Sequence, residues 1–314
     1  MIWSLLALAA GLVLLVAAGD HFVAGASRLA TALRIRPAVI GAVVLGFGTS
    51  APEMVVSSLA ALNGEPDIGV GNIVGSNVAN LSLGLGVAAL LMPIPFARTA
   101  LWRDVPWSVA STAVFALLVV DGDLTRFEGG ALAVLMGFTL VWLIGSSRDA
   151  PAPGVDPPAD ASDAEQPLRS LMRAAAGLAG VLVGAQLAVQ GATDLADRWG
   201  LSGGFIGFSV VALGTSLPEL ATVVAAARKG HAELIVGNLF GSNVFNSFAV
   251  GGAMGLVGAG AIGSPSLTGL GIAAMTVVAV LAYLGVLKGR RAGRVQGALL
   301  LAVYIVAMAL LGTS

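Results

Sequence analysis

The sequence contains no cysteine, and His21 and His231 are its only histidines. A disulfide framework, a thiol nucleophile and a thiolate metal site are therefore excluded. Charged residues are also scarce, because Asp, Glu, Lys and Arg make up 11% of the 314 residues, whereas soluble domains devote about a quarter of their residues to charge. The formal net charge of −1 and the lack of a basic stripe argue against a nucleic-acid partner.

Apolar residues are correspondingly abundant and amount to 57% of the chain. A run of about 20 apolar residues suffices to cross a bilayer as a helix. Ten apolar runs follow one another, at 2–30, 38–62, 68–92, 101–120, 128–146, 170–196, 204–227, 233–258, 267–287 and 295–312. We therefore predict an all-α polytopic membrane protein with ten transmembrane helices.

The positions of Lys and Arg predict the orientation of these helices, because cytoplasmic loops carry an excess of positive charge. If the N-terminus is extracytoplasmic, all of the 16 basic residues except Arg126 and Arg198 fall on the cytoplasmic side. We therefore expect a multi-pass protein of the cell (inner) membrane with both termini outside the cytoplasm.

A stretch rich in proline, alanine and aspartate at 147–167 divides the chain near its middle. It is too polar and too rich in helix breakers to pack, so we interpret it as a flexible cytoplasmic linker. It separates a first five-helix repeat, residues 1–146, from a second, residues 168–314. Because each repeat has an odd number of spans, the second must enter the bilayer upside down relative to the first.

Two short motifs recur in the two halves at a constant offset of 166 residues. Gly-Thr-Ser-Ala-Pro-Glu at 48–53 returns as Gly-Thr-Ser-Leu-Pro-Glu at 214–219. Gly-Asn-Ile-Val-Gly-Ser-Asn-Val-Ala-Asn at 71–80 returns at 237–246 with seven identities. Since the halves are inverted, the two copies should approach the bilayer midplane from opposite sides.

Glu53 and Glu219 end the first motif and its copy, and both lie inside apolar runs. A carboxylate in hydrocarbon is costly, so an intramembrane glutamate indicates a functional site by default. Each of the two follows a proline, which frees the carbonyl four residues before that proline. These carbonyls, of Gly48 and Gly214, are thereby available to cations.

Hydroxyl and amide side chains accompany the two glutamates. Thr49 and Ser50 precede Glu53 by four and three residues and should share its helical face, and Thr215 and Ser216 repeat this spacing before the second glutamate. In the second motif the pairs four residues apart are Ser76 with Asn80 and Ser242 with Asn246. Oxygen ligands of these kinds suit Ca2+ and Na+ rather than softer transition metals. The two carboxylates supply a charge of −2, which one Ca2+ or two Na+ would neutralise.

The paired motifs resemble those of the cation/calcium exchanger superfamily, and specifically of its Na+/Ca2+ exchangers with two inverted alpha-repeats. The resemblance covers both repeats and the ten-helix frame. It implies broken helices 2, 3, 7 and 8 that form a midplane ion site, a sliding gate made of helices 1 and 6, and Glu53 and Glu219 as central Ca2+ ligands. The further residues lining the Ca2+ and Na+ positions would be Thr49, Ser50, Ser76, Asn80, Thr215, Ser216, Ser242 and Asn246, with the carbonyls of Gly46 and Ala212.

One position departs from that pattern. Many prokaryotic members of the superfamily that this chain resembles, and its K+-dependent exchangers, carry aspartate where this chain has Asn246. An amide cannot titrate, and it removes one negative charge. We therefore expect K+-independent exchange, with weaker competition from protons than in a relative that has aspartate at this position. We expect no cofactor beside the transported Ca2+ and Na+, and a monomer in the lipid bilayer.

Other functions compete with Na+-driven Ca2+ antiport. Proton-driven antiport of Ca2+ or another divalent cation is less favoured. The proton/cation branch of the superfamily that this chain resembles typically has an acidic residue shortly after its Gly-Asn pair, and residues 73–76 and 239–242 contain none. A cation channel could use the same oxygens as a filter. An enzyme is not expected, because an H-E-x-x-H pair, a nucleophile elbow and a matched aspartate pair are missing.

Small polar residues in transmembrane helices ordinarily serve packing. Their repetition at a fixed offset is what favours ion binding here. Asp20 lacks this support, because its counterpart in the second half is Gln186. We expect Asp20 to be interfacial or structural rather than a ligand.

Overall fold

The computed structural model describes residues 1–33, 35, 37–145, 167–198 and 212–312. Most of these residues are helical, as the apolar composition predicts. The α-helices are α1 (Ile2–Leu33), α2 (Pro37–Ile40), α3 (Phe47–Thr49), α4 (Ala51–Leu62), α5 (Pro66–Ala79), α6 (Leu85–Leu91), α7 (Val105–Val119), α8 (Arg126–Gly145), α9 (Pro167–Arg198), α10 (Ala212–Thr215), α11 (Leu217–Arg228), α12 (Ala232–Val244), α13 (Gly251–Gly258), α14 (Ile272–Gly289) and α15 (Arg294–Gly312). The predicted linker lies outside the described residues as far as Pro167, where α9 begins.

π-helical turns and short strands complete the described secondary structure. The π-helical turns are Gly41–Gly46, Asn80–Gly84, Ala100–Asp104, Phe245–Val250 and Leu267–Gly271. The strands are β1 (Ile94–Pro95), β2 (Asp123–Leu124), β3 (Gly260–Ala261) and β4 (Arg291–Ala292). They form two antiparallel pairs, β1 with β4 and β2 with β3.

Six of the described helices are long and apolar enough to cross a membrane, and a bent pair of helices, Gly41–Thr49 with Ala51–Leu62, makes a seventh candidate span. Helix α1 alone has 32 residues, and at 1.5 Å per residue it is about 48 Å long. The chain is therefore a multi-pass membrane protein. The total of ten spans stays a prediction, since the run predicted at 204–227 is described only from Ala212 onward.

Both copies of the first motif interrupt a helix. Helices α3 and α4 meet at Ser50 with a bend of 47°, and α10 and α11 are separated by a turn at Ser216. The prolines that follow lie in the first helical turn, where their missing N–H has no intrahelical partner to lose. These are the positions at which helices 2 and 7 are expected to break.

The helices that carry the second motif differ from the expectation of breaks in helices 3 and 8. Residues Pro66–Leu91 and Ala232–Gly258 each form one continuous helix. In each, a π-helical turn, Asn80–Gly84 or Phe245–Val250, lies at the end of the second motif. Such a turn widens a helix locally without ending it, and π-helical turns are frequent at functional sites.

The offset of 166 residues relates whole elements as well as motifs. It carries Ala51–Leu62 onto Leu217–Arg228 and Ile94–Pro95 onto Gly260–Ala261. The strand pairs follow the same order, because β1 pairs with β4 and its counterpart β3 pairs with β2, although the offset places the counterpart of β2 two residues before β4. Each two-stranded sheet therefore joins one half of the chain to the other.

Helices α1 and α9 pack against each other through glycines. A Cβ at Gly11 would lie 2.5 Å from Ala188 N, and a Cβ at Gly191 would lie 2.6 Å from Leu8 N. Since no side chain tolerates such distances, the missing Cβ atoms are what let the two backbones approach so closely. The two long helices consequently form a tight pair.

Charged side chains connect this pair to α11. The Asp20 carboxylate lies 3.7 Å from Arg228 Nη1 and 3.6 Å from Lys229 Nζ. Asp20 is thus engaged in ion pairs at a helix interface, as its lack of an acidic counterpart suggests.

Candidate cation site

The two copies of the first motif meet in the interior around Glu53 and Glu219. Each glutamate lies in the first turn of the helix that follows a break, α4 or α11. Their exposed fractions are 0% and 2%, so bulk water does not solvate either carboxylate. The N-terminus of a helix carries partial positive charge, which favours a carboxylate at this position.

Serine hydroxyl groups link each of the two carboxylates to the other half of the chain. Ser50 Oγ donates to Glu219 Oε1 at 2.7 Å. Ser216 Oγ donates to Ser76 Oγ at 3.4 Å, and Ser76 Oγ donates to Glu53 Oε1 at 3.3 Å. Ser50 is the residue at the break and precedes the first turn of α4, and its hydroxyl group bonds the glutamate of the other half rather than Glu53. The Ser-x-x-Glu spacing is that of a capping box, yet Ser50 makes no side-chain cap hydrogen bond.

The two threonines of the first motif are buried and have different partners. Thr49 is 0% exposed, donates to Leu45 O at 2.8 Å and lies close to the Glu219 carboxylate. Thr215 donates through Oγ1 to Asn72 Oδ1 at 3.1 Å. The second contact joins the two halves of the chain.

Asn80 and Asn246 lie in equivalent π-helical turns, Asn80–Gly84 and Phe245–Val250. Their exposed fractions are 2% and 0%. Asn80 Nδ2 donates to Asn243 Oδ1 at 3.0 Å. Among the described residues, neither polar side-chain atom of Asn246 has a hydrogen-bond partner.

The predicted carbonyl ligands differ in how they are engaged. Gly46 O accepts hydrogen bonds from Ser50 N at 3.1 Å and from Ser242 Oγ at 3.3 Å. A cation at this carbonyl would therefore compete with the Ser242 hydroxyl or share the oxygen with it. Ala212 is the first residue of α10, and its side chain lies outside the part of the chain that the structure describes.

Among the predicted ligands, three buried side-chain oxygens lack a hydrogen-bond partner within the described residues: Glu53 Oε2, Glu219 Oε2 and Asn246 Oδ1. Buried polar atoms are normally paired, so these three oxygens are available to accept a hydrogen bond or to contact a cation. The described residues contain no group of three or more His, Cys, Asp or Glu side chains suited to a metal. Two carboxylates and several neutral oxygens form a hard donor set, which fits Ca2+ and Na+.

Three asparagines of the second motif belong to the same constellation although the spacing argument does not single them out. Asn72 Nδ2 donates to Glu53 O at 3.3 Å and to Ser57 Oγ at 3.0 Å, and thereby holds the start of α4. Asn243 Nδ2 donates to Asn77 O at 3.2 Å across the two halves. The signal for these residues was their own recurrence in the repeated motif.

Comparisons with known proteins agree with this geometry. The pattern of the sodium/calcium exchanger protein family matches residues 3–145 and again residues 170–312. The chain is 39% identical over 305 residues to the putative antiporter CaxA of Alkalimonas amylolytica, with 94% of each chain covered. It is 35% identical over 307 residues to the inner membrane protein YrbG of Escherichia coli, with 96% of this chain and 94% of the relative covered.

Solved structures give the same result. The fold matches that of the sodium-calcium exchanger NCX_Mj soaked with Na+ and Ca2+, with a TM-score of 0.85 and 32% sequence identity. The match covers 98% of both chains. Similarity thus extends over the whole length of the chain and over both copies of each motif.

Proposed function

The chain belongs to the sodium/calcium exchanger protein family, and we propose that it is a secondary active antiporter that exchanges Na+ for Ca2+ by alternating access. The observation that carries this proposal is the pair of buried carboxylates, Glu53 and Glu219, each with one oxygen that has no partner among the described residues. One comes from each inverted half, the arrangement in which a central site can open to either side. The ions soaked into the related NCX_Mj support the choice of substrates.

Charge balance supports coupling between the two ions. Glu53 and Glu219 together carry −2, and leaving both unneutralised in the interior is strongly unfavourable. One Ca2+ or two or more Na+ remove that cost, so the loaded protein can rearrange more readily than the empty one. Exchange rather than uniport follows from this difference.

We assign the twelve predicted residues to the transport pathway. Glu53 and Glu219 are the central ligands. Ser50, Ser76 and Ser216 support the carboxylates in the hydrogen bonds described above. The remaining contributors are Thr49, Thr215, Asn80, Asn246, Ser242, and the carbonyls of Gly46 and Ala212.

Reconstituted vesicles provide the direct test. Uptake of radiolabelled Ca2+ should require an opposing Na+ gradient, whereas a channel would carry Ca2+ without one and a proton antiporter would respond to a pH gradient instead. Glu53→Gln should abolish the Na+-dependent uptake. Glu65→Gln, the same substitution at an exposed glutamate, is the matched control and should leave uptake intact. Persisting exchange in Glu53→Gln would refute the site.

K+ independence is the finer part of the proposal and depends on Asn246. With an amide at this position the site has two acidic groups and lacks a third that could hold K+ or a proton. Asn246→Asp adds that third group. The variant should therefore acquire a dependence on pH or on K+ in the same uptake assay, and an unchanged dependence on both would contradict the assignment.

The proposed location is the cell (inner) membrane, which agrees with the name of the relative YrbG. The excess of Lys and Arg predicts extracytoplasmic termini and a cytoplasmic segment at 147–167. We propose a monomer, since each chain contains both inverted halves of the site.

A further inference from the structure

Asn77 and Asn243 are related by the offset of 166 residues and lie between the two halves. Their exposed fractions are 1% and 0%. Neither belongs to the proposed set of cation ligands, so a different reason must explain two buried amides at this place.

The amide of Asn243 has a fixed orientation. Its Nδ2 donates to the backbone carbonyl of Asn77 at 3.2 Å, and a carbonyl can only accept hydrogen bonds. Asn243 Oδ1 must therefore be the acceptor toward Asn80, whose Nδ2 donates to it at 3.0 Å. This bond occupies the NH2 end of the Asn80 side chain and leaves its oxygen end for a cation.

The equivalent contact in the second half would join Asn77 Oδ1 to Asn246 Nδ2. Asn77 Nδ2 donates to Ser247 Oγ at 3.2 Å and approaches Met275 Sδ at 3.4 Å. Since Ser247 follows Asn246 in the turn Phe245–Val250, the Asn77 side chain packs against the turn that carries Asn246. Among the described residues, Asn77 Oδ1 and Asn246 Nδ2 are both buried without a partner, and one is an acceptor while the other is a donor.

We propose that Asn77 and Asn243 are positioning residues that orient the cation-binding amides of the opposite half. Asn243 Oδ1 accepts a hydrogen bond from the NH2 group of Asn80, as the structure shows. When a cation occupies the site, Asn77 Oδ1 accepts a hydrogen bond from the NH2 group of Asn246. This bond turns Asn246 Oδ1 toward the ion. This inference rests on the proposed function, because it takes Asn80 and Asn246 to be ligands.

The need for such orientation comes from the chemistry of the amide. A carboxamide has a donor end and an acceptor end, so a wrongly turned asparagine presents N–H groups to a cation. A carboxylate has two acceptor oxygens and coordinates in either orientation. Loss of a positioning residue should therefore matter when the ligand is asparagine and should cease to matter when it is aspartate.

This difference defines the experiment. The variants Asn77→Ala and Asn243→Ala are each combined with Asn246→Asp and with Asn80→Asp, and the KM for Ca2+ is measured by Na+-dependent uptake in vesicles. Asn77→Ala should raise KM about fivefold, the effect of one lost hydrogen bond. Asn246→Asp should remove this increase, whereas Asn80→Asp should not. Asn243→Ala should show the opposite pattern and is the matched control.

An equal increase in KM in all backgrounds would show that the two asparagines serve packing alone, and would overturn the proposal. Asn77→Asp, which keeps the shape and the acceptor oxygen, covers the case in which Asn77→Ala does not fold. It should not raise KM, and an increase would also overturn the proposal. Failure of the proposed function can be distinguished from failure of this positioning role. If the proposed function is wrong, the unsubstituted protein shows no Na+-dependent Ca2+ uptake at all.

Discussion

At the scale of single residues, Glu53 and Glu219 occupy the same position of the repeated motif but accept different hydrogen bonds. Glu219 accepts a hydrogen bond of 2.7 Å from Ser50 of the other half. Glu53 accepts a longer bond of 3.3 Å from Ser76 of its own half. Hydrogen bonds to ionised groups are stronger when they are short, so the two carboxylates are not held equally.

This inequality predicts different effects of removing the two hydroxyl groups. Ser50→Ala should raise the KM for Ca2+ about tenfold, since hydrogen bonds to charged groups contribute about 1.5 kcal/mol or more. Ser76→Ala should raise it about threefold, the effect of a weaker bond. Both substitutions remove one hydroxyl, so each is the control for the other. A larger effect of Ser76→Ala would show that the lengths of these two hydrogen bonds do not govern the affinity for Ca2+.

At the scale of helices, hydropathy and the repeat predicted most of what the structure shows, and the remainder depended on contacts between distant segments. The family resemblance implied the interruption at Ser50, and the proline two residues later agrees with it because proline is tolerated in the first turn of a helix but not in its interior. No such breaker marks the π-helical turn at Asn80–Gly84, so an expected break was found to be a widened but continuous helix. The bond from Ser50 to Glu219 could not be predicted from spacing, because it depends on how the two halves face each other.

The glycine contacts between α1 and α9 predict a second outcome. Gly11→Ala should lower the unfolding temperature in detergent, because the new Cβ would lie 2.5 Å from Ala188 N and overpacking typically costs about 1–3 kcal/mol. Gly137→Ala is the matched control, since nothing lies within 4 Å of a Cβ at this helical position. It should not lower the unfolding temperature, as alanine favours helices over glycine. Equal temperatures for the two variants would contradict close packing of α1 on α9.

At the scale of the whole molecule, the two halves are related but not identical. Asp20 contacts Arg228 and Lys229 at the end of α11. The counterparts of Arg228 and Lys229 in the first half are Leu62 and Asn63. Charged residues for such ion pairs are therefore absent at the related positions of α9 and α4, and we expect the pairs to stabilise the arrangement of α1 and α11 that the structure shows.

We accordingly expect Asp20→Asn to change the relative affinity of the two membrane faces for Ca2+. By the predicted orientation, Arg228 and Lys229 are cytoplasmic, so loosening this contact should lower the cytoplasmic KM relative to the extracytoplasmic one. The shift should be at most about fivefold, as partly exposed ion pairs contribute about 1 kcal/mol or less.

Vesicles of known orientation give both KM values, and added salt should reduce the difference between variant and parent by screening the charges. Gln186→Leu, at the matching exposed position of the second half, is the control. A shift of equal size in that variant would show that the charge of Asp20 is not responsible.

The crossed strand pairs have a consequence for how such a chain could be divided. Neither β1 nor β2 has its sheet partner in its own half, and Asn80 obtains its amide contact from the second half. A chain of half this length would leave two strand edges and half of the ligands unmatched. Only another copy, inserted in the opposite direction, could complete both, so a single repeat would be complete only as a pair of oppositely oriented molecules.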